Sequence, residues 1–133
     1  MSKILIAEDE VFLRTLITQV LTKDGHQVFG AQDGQEAIDL YDRLVPDLLI
    51  TDLIMPGKEG IETIIELHQR DSQLRIIAMS GGCRGNSNAN LNMALKLGAD
   101  CVLPKPFTVD ELKSTVTTLL ASRRSVLFGG NPL

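Results

Sequence analysis

Five polar residues stand where apolar stretches of the sequence end. Glu8 and Asp9 follow a short apolar run near the N-terminus, and Asp52 ends a second run. Ser80 closes a third run, and Lys105 lies between two prolines just beyond a fourth. A carboxylate at the end of a buried segment is costly unless a partner compensates its charge. Asp52 therefore either caps the following helix or belongs to a functional site.

The types of these residues suit phosphoryl transfer. Converging carboxylates repel one another unless a cation intervenes, and Mg²⁺ takes six oxygen ligands at roughly 2.1 Å. Asp9 and Asp52 are predicted as direct metal ligands, and Glu8 as a ligand through water. Lys105 can neutralise Asp52 or an anion placed on it, and Ser80 can donate a hydrogen bond to that anion. Asp52 is then the nucleophile, and an acyl phosphate is the expected product.

Alternating strands and helices must bring these residues together. Continuous apolar runs predict strands at 3–7, 27–30, 48–51, 74–80 and 101–103, and helical spacing predicts helices within 10–25, 33–45, 60–69, 88–97 and 110–122. Such runs are typical of an α/β protein whose sheet is covered on both faces. Right-handed crossovers then give a doubly wound parallel sheet with helices on both faces, for which we predict the flavodoxin-like strand order 2-1-3-4-5. Four of the five strands end at one crevice in that order.

The composition fits one domain that is not built for a membrane or for nucleic acid. The chain has 133 residues, of which 44% are apolar and 23% charged, and its net charge is −4. That charge disfavours direct binding to nucleic acid. No apolar run reaches the length of a membrane span, and the N-terminus does not read as a secretion signal. Cys83 and Cys101 are expected to be reduced thiols, so we predict a cytoplasmic protein.

Four short motifs resemble the receiver domain of two-component response regulators, the CheY-like family. They are "ED" at Glu8–Asp9, "DLIMPGKEG" beginning at Asp52, "MSG" at Met79–Gly81 and "PKPF" at Pro104–Phe107. All four occur in order, each at the end of a predicted strand. The resemblance runs over about residues 3–121. We therefore predict a receiver domain at 1–121, with 122–133 as a tail or a truncated linker.

The resemblance implies a function for each motif residue. Asp52 would accept a phosphoryl group from a histidine of a sensor kinase or a histidine phosphotransfer protein. Mg²⁺ (or Mn²⁺) would be bound by Asp9, Asp52 and the backbone carbonyl of Ile54, while Ser80 and Lys105 would contact the phosphoryl oxygens. Such a domain catalyses its own phosphorylation and dephosphorylation without turning over a conventional substrate. It would switch partner binding through the fourth helix, fifth strand and fifth helix, as a monomer or a phosphorylation-linked dimer.

The sequence also departs from the family pattern. Val102 stands where the family commonly has Tyr or Phe, and valine cannot swing as an aromatic switch does. The stretch Gly81–Asn92 is rich in Gly and Asn, which predicts a mobile loop and a weak start to the fourth helix. Neither Ile54 nor Gly82 can orient a water through its side chain, so slow autodephosphorylation is expected. The family also implies a cis Lys105–Pro106 peptide.

Other functions remain open as alternatives. A phosphohydrolase of the haloacid-dehalogenase type would need a second Asp two residues after Asp52, where Ile54 stands. A flavin or nucleotide binder would need a phosphate-cradling loop after the first strand, which here is acidic and lacks glycine. A degenerate receiver would bind partners without phosphorylation. His26 and His68 are expected to be solvated and far from the crevice, which excludes them as phosphodonors. The chain would act alone or as the receiver of a longer regulator.

Overall fold

Five strands and five helices alternate strictly in a computed structural model that describes residues 2–54, 60–81 and 87–121, except for the side chains of 87–91. The strands are β1 Lys3–Ala7, β2 Gln27–Ala31, β3 Leu48–Asp52, β4 Arg75–Ser80 and β5 Cys101–Pro104. The helices are α1 Val11–Lys23, α2 Gly34–Leu44, α3 Gly60–Arg70, α4 Ser87–Leu97 and α5 Val109–Ala121. None of the helices in these ranges combines the length and apolarity that crossing a bilayer requires.

The sheet is parallel throughout, with strand order β2-β1-β3-β4-β5. This confirms the predicted α/β fold. Alternate residues of each strand face opposite layers, because side chains alternate across a strand. Leu5 and Leu49 face a core layer that α2, α3 and α4 complete, while Ile6 and Ile50 face a second layer completed by α1 and α5. Both faces of β3 are therefore buried, which explains why its sequence is continuously apolar.

Two aspartates set the register at the amino ends of the strands. The backbone N–H of Asp47 donates to the carbonyl of Lys3, and the Asp47 carboxylate accepts from the Lys3 N–H, both at 2.8 Å. Asp100 forms the same pair of bonds with Ile76, again at 2.8 Å. Each side chain replaces a ladder bond that the preceding loop cannot supply. The alignments of β1 with β3 and of β4 with β5 are therefore fixed at their starts.

Most predicted boundaries lie within two residues of the observed ones, and the predicted helix cap is confirmed. The Asp33 side chain accepts from the backbone N–H of Glu36 at 2.9 Å, as its position predicted. β3 extends one residue beyond the apolar run, because Asp52 keeps its ladder pairing with Met79. Gly98, with φ 136°, follows α4 as predicted. Cys101 is a free, half-buried thiol with a pKa raised by burial, and Cys83 lies outside the described residues.

The expectation that both histidines are solvated is wrong. His26 and His68 are half-buried, and each has a buried Nδ1 without a hydrogen-bond partner in the part of the chain that the structure describes. A Cβ on Gly98 would lie 2.7 Å from the Cγ of His68, so the ring packs directly against that glycine. The apolar face of the imidazole takes part in the α3–α4 contact, which a helix-end position in the sequence did not indicate.

Val45 carries backbone strain that a substitution should relieve. It follows α2 with φ 46° and ψ 66°, a left-handed conformation that is unfavourable for a β-branched residue. Its side chain is 60% exposed, so little packing would be lost on its removal. We expect Val45→Gly to raise the free energy of unfolding by about 0.5 to 1 kcal/mol, measured by urea denaturation. Val109→Gly is the control, since Val109 lies at an exposed helix start without positive φ and should lose stability. An equal loss in both variants would contradict the strain.

Candidate functional site

The carboxyl ends of four adjacent strands bring the predicted polar residues together. Glu8 follows β1, Asp52 is the last residue of β3, Ser80 is the last of β4, and Lys105 follows β5. Glu8, Asp52 and Ser80 are buried, whereas Asp9 is exposed. Neighbouring parallel strands end at the same edge of a sheet, which is where ligands bind in such folds. The structure thus gathers the residues that the strand order predicted would meet.

Lys105 bridges two buried carboxylates. Its Nζ lies 3.0 Å from Oε1 of Glu8 and 3.3 Å from Oδ2 of Asp52. Its backbone N–H donates to the carbonyl of Ser80 at 2.7 Å, and the Lys105–Pro106 peptide is cis, as predicted. The sequence indicated the pairing with Asp52 but not the shorter one with Glu8. The longer glutamate side chain reaches the ammonium from β1 across the end of β3.

Burial dominates the electrostatics of the site. Burial raises the pKa values of Glu8 and Asp52 above their ordinary values, although the Lys105 ammonium and nearby backbone N–H groups oppose the rise. Burial alone would lower the pKa of Lys105. The hydrogen bond to Glu8 and the charges of Asp52 and Glu8 outweigh it, so the pKa of Lys105 is raised. The lysine therefore stays charged and partly neutralises both acids.

The acidic group has the donor set of a hard divalent ion. One carboxylate oxygen from each of Glu8, Asp9 and Asp52 lies within 4.8 Å of the others. All the donors are oxygen, which suits Mg²⁺ or Mn²⁺ rather than softer metals. The exposed Asp9 leaves the group open to solvent on one side. Ile54 lies two residues beyond Asp52 with its side chain 63% exposed, and the role of its carbonyl stays a prediction.

Gly60 lies against the backbone of Asp52 and Leu53, a contact that the sequence did not reveal. The Gly60 N–H donates to the carbonyl of Leu53 at 3.0 Å, and the Leu53 N–H donates to the carbonyl of Met79 at 3.0 Å. A Cβ on Gly60 would overlap the carbonyl oxygen of Asp52 and lie 2.7 Å from the Cα of Leu53. The start of α3 therefore packs directly on the backbone of the acidic residue. The only sequence signal was a glycine at a predicted helix start.

The departures from the family pattern are only partly described. Val102 is half-buried and packs against the core layer formed with α2, α3 and α4. α4 begins at Ser87, one residue before the predicted start, and Gly81 before it is exposed. Gly82 and the rest of 82–86 lie outside the described residues, as do 55–59. The predicted mobility of that loop and the predicted slow dephosphorylation therefore stay predictions.

A methyl group at Gly60 should disturb both the fold and the site. We expect Gly60→Ala to lower the free energy of unfolding by about 2 to 4 kcal/mol, because the new Cβ meets backbone atoms that cannot move aside easily. Urea denaturation measures the change. Gly81→Ala is the matched control, since a Cβ there meets nothing within 4 Å. Similar losses in the two variants would show that the tight approach of Gly60 to Asp52 is not what matters.

The raised pKa of Asp52 predicts how stability depends on pH. Ionising this buried acid costs free energy in the folded state, so the protonated form stabilises the fold below the ordinary pKa of about 4. That contribution is lost as pH rises through the raised pKa of the folded state. Without divalent ions, Asp52→Asn should therefore be more stable than the wild type at pH 7, by a margin that shrinks towards pH 4. Thermal unfolding across this range measures the margin.

The control for this pH dependence is Asp39→Asn, which makes the same chemical change on the exposed face of α2. Its stability should follow the wild type within about 0.5 kcal/mol at every pH. A margin for Asp52→Asn that grows on acidification would contradict the assigned direction of the shift.

Comparison with known proteins agrees with this geometry. The family model "response regulator receiver domain" matches residues 4–117. The transcriptional regulatory protein CpxR of Escherichia coli K12 is 38% identical over 125 residues, which cover 94% of this chain and 51% of that protein. The chain thus spans about half the length of this relative. Sporulation initiation phosphotransferase F of Bacillus subtilis is 34% identical over 121 residues, covering 89% of this chain and 93% of that protein.

A solved structure extends the likeness to three dimensions. The receiver domain of the Francisella response regulator 1452 superposes with a TM-score of 0.82 at 30% identity, over 91% of this chain and 98% of that one. A response regulator receiver domain protein of Clostridium thermocellum gives a TM-score of 0.84 at 27% identity, over 91% and 95%. The family match covers most of the chain and includes every residue of the acidic site. The chain belongs to the response regulator receiver domain family.

Proposed function

We propose that Asp52 accepts a phosphoryl group from a phosphohistidine on a sensor kinase or a histidine phosphotransfer protein. The observation that carries the proposal is the Asp52 carboxylate itself, 7% exposed and 3.3 Å from the Lys105 ammonium, in one group with Glu8 and Asp9. Receiver domains of response regulators interact with such kinases and phosphotransfer proteins. A buried carboxylate beside a cation and an oxygen-lined metal position suits transfer by positioning and charge neutralisation.

The transfer balances without any further reactant. A carboxylate oxygen of Asp52 attacks the phosphorus, the new P–O bond forms as the donor's P–N bond breaks, and the electron pair stays on the donor's imidazole nitrogen. Lys105, already beside Asp52, would donate to the phosphoryl oxygens, and so would Ser80 at the end of the neighbouring strand. A divalent ion bound by Asp9, Asp52 and the carbonyl of Ile54, with Glu8 behind a water, would neutralise charge on those oxygens.

Glu8 holds the lysine in place before transfer. It is 1% exposed, and its Oε1 accepts from Lys105 while its Oε2 accepts from the Glu10 N–H at 3.0 Å. Lys105 is thus divided between two acids and can shift towards Asp52 when negative charge is added there. This supports switching through β5, because Lys105 directly follows that strand and its N–H bonds to the end of β4. The half-buried Val102 cannot contribute an aromatic flip.

An apolar surface beside the site suits the helix that carries the donor histidine. Val11 and Phe12 are 63% and 73% exposed on the first turn of α1. Further along the same helix, Leu13 and Leu16 help to line a cavity of about 340 Å³, together with Gly81, Lys105, Pro106 and Phe107. Because Asp52 is buried, a phosphohistidine must approach through this edge of the sheet. Exposed aromatic and aliphatic side chains next to that approach favour an amphipathic helix as the partner surface.

The proposal also covers the bounds of the domain and whether it acts alone or within a longer regulator. We place the receiver domain at 1–121, which the family match to 117 and the end of α5 at Ala121 support; residues 122–133 lie outside the described part of the chain. The relatives include CpxR, which is about twice as long, and a phosphotransferase of nearly the same length. Action alone and action within a longer regulator are both compatible with that range. The cytoplasmic location, the lack of direct nucleic-acid binding and the oligomeric state stay predictions.

Intact mass spectrometry tests the proposed chemistry. The protein is incubated with Mg²⁺ and acetyl phosphate, which can donate a phosphoryl group without a kinase. We expect one added phosphoryl group, absent in Asp52→Asn and absent when EDTA removes the ion. The adduct should also be lost in alkali, because acyl phosphates hydrolyse there.

Asp39→Asn, with the same change on the surface of α2, should be phosphorylated like the wild type. A protein that gains no phosphoryl group and fails to bind beryllofluoride would contradict the proposal. A degenerate receiver that binds its partners without phosphorylation would then be the better description.

A further inference from the structure

Three successive peptide groups of residues 7–10, the acidic loop that follows β1, each take part in a hydrogen bond. The Glu8 N–H donates to the carbonyl of Ala31 at 3.0 Å. The Glu8 carbonyl accepts from Nη1 of Arg14 at 2.7 Å, and the Glu10 N–H donates to the Glu8 carboxylate at 3.0 Å. The peptides before Glu8, between Glu8 and Asp9, and before Glu10 are therefore all fixed. Only the middle one depends on a side chain outside the loop.

Asp9 depends on this backbone for its position. Within residues 2–54, 60–81 and 87–121, no side chain or N–H group donates to its carboxylate, which is exposed. The Asp9 carboxylate nevertheless belongs to the group whose oxygens lie within 4.8 Å of one another. Since no described group donates to this carboxylate, its approach to Asp52 depends on where the backbone places the Asp9 Cβ, and the Glu8–Asp9 peptide is part of that backbone. Arg14 binds the carbonyl of that same peptide.

The fold makes room for Arg14 to reach this peptide. Its stem crosses the sheet edge over Gly30 of β2, where an added Cβ would lie 3.1 Å from Cδ and 3.4 Å from Cγ of the arginine. Gly30 has no positive φ, so its backbone does not require glycine. The missing side chain instead leaves space for the half-buried arginine. The glycine in β2 therefore allows the Arg14 guanidinium, which α1 carries, to reach the Glu8 carbonyl.

We infer that Arg14 is a positioning residue for the divalent-ion site, acting through the Glu8–Asp9 peptide. The inference rests on the proposed function, because it concerns the ion that the acidic group would bind. Two effects of Arg14 on that ion have opposite signs. As a positive charge it repels a cation, so its loss would strengthen ion binding. As a positioning group it orients Asp9, so its loss weakens ion binding, as loss of a residue behind a metal ligand commonly does by about 10- to 100-fold.

The sign of the change in Mn²⁺ affinity tests the inference. Mn²⁺ is titrated into the full chain, and the free ion is measured by electron paramagnetic resonance, without phosphorylation. We expect Arg14→Gln to bind Mn²⁺ about 10-fold more weakly than the wild type, with Arg14→Lys intermediate. Arg70→Gln is the matched control, since Arg70 pairs with Asp42 and Glu66 on the α2–α3 surface and carries the same charge. Its Mn²⁺ affinity should equal that of the wild type.

Gly30→Val perturbs the same arginine from the strand. Valine favours a β-strand, so the variant should stay folded while its side chain displaces the Arg14 stem. We expect weaker Mn²⁺ binding here also, with thermal unfolding recorded beside it to show that the folded state is being titrated.

The outcomes separate this inference from the proposed function. If Arg14→Gln binds Mn²⁺ as tightly as the wild type or more tightly, Arg14 is no positioning residue, and the acidic site stands without it. If the wild type itself binds no Mn²⁺ and Asp9→Asn changes nothing, the proposed metal site is overturned, and the inference with it.

Discussion

The site depends on one ammonium group shared by two carboxylates that the fold buries side by side. Glu8 directly follows β1 and Asp52 ends the adjacent β3, and burial alone would drive both carboxylates towards their neutral forms. Lys105 reduces that cost from 3.0 and 3.3 Å, and it comes from the far edge of the sheet. The strand order matters for this reason: β5 must lie beside β4, and β4 beside β3, for the lysine to reach the acids. The packing of Gly60 on the Asp52 backbone also helps to hold this carboxylate in place.

Because two carboxylates share one lysine, the site keeps an excess of negative charge. Among the residues that the structure describes, one ammonium lies beside three carboxylates, and this excess of negative charge would favour a divalent ion at the open side, where Asp9 is exposed. Adding a phosphoryl group to Asp52 would change which acid attracts the lysine most. Lys105 directly follows β5, so the residue that would respond to this added charge is joined to the end of that strand. The proposed chemistry and the proposed switching would therefore both involve this side chain.

The sequence predicted the parts of the molecule that patterns of hydrophobicity and turn residues specify. The strand order, the cap at Asp33 and the convergence of polar residues at one sheet edge followed from apolar runs and from their ends. Contacts that depend on side-chain reach did not follow. The Glu8–Lys105 bond joins residues 97 positions apart, and the Arg14 bond depends on a space left by Gly30. Predicting the half-burial of His68 likewise requires knowing where α4 packs, which the residues around His68 in the sequence do not indicate.

The hydrogen bonds at the amino ends of the strands place each site residue at the same distance along its strand. Glu8 stands five residues beyond Lys3, Asp52 five beyond Asp47, and Lys105 five beyond Asp100. For β1 and β3 the common starting point is the Lys3–Asp47 pair, which lies about 16 Å from the site at about 3.3 Å per residue. One inserted or deleted residue in either strand would move its acid by that 3.3 Å, far beyond the tolerance of about 0.2 Å for a metal ligand. The positions of the site residues along the strands are thus fixed from the amino ends of the strands, and strand length is as constrained as the acids themselves.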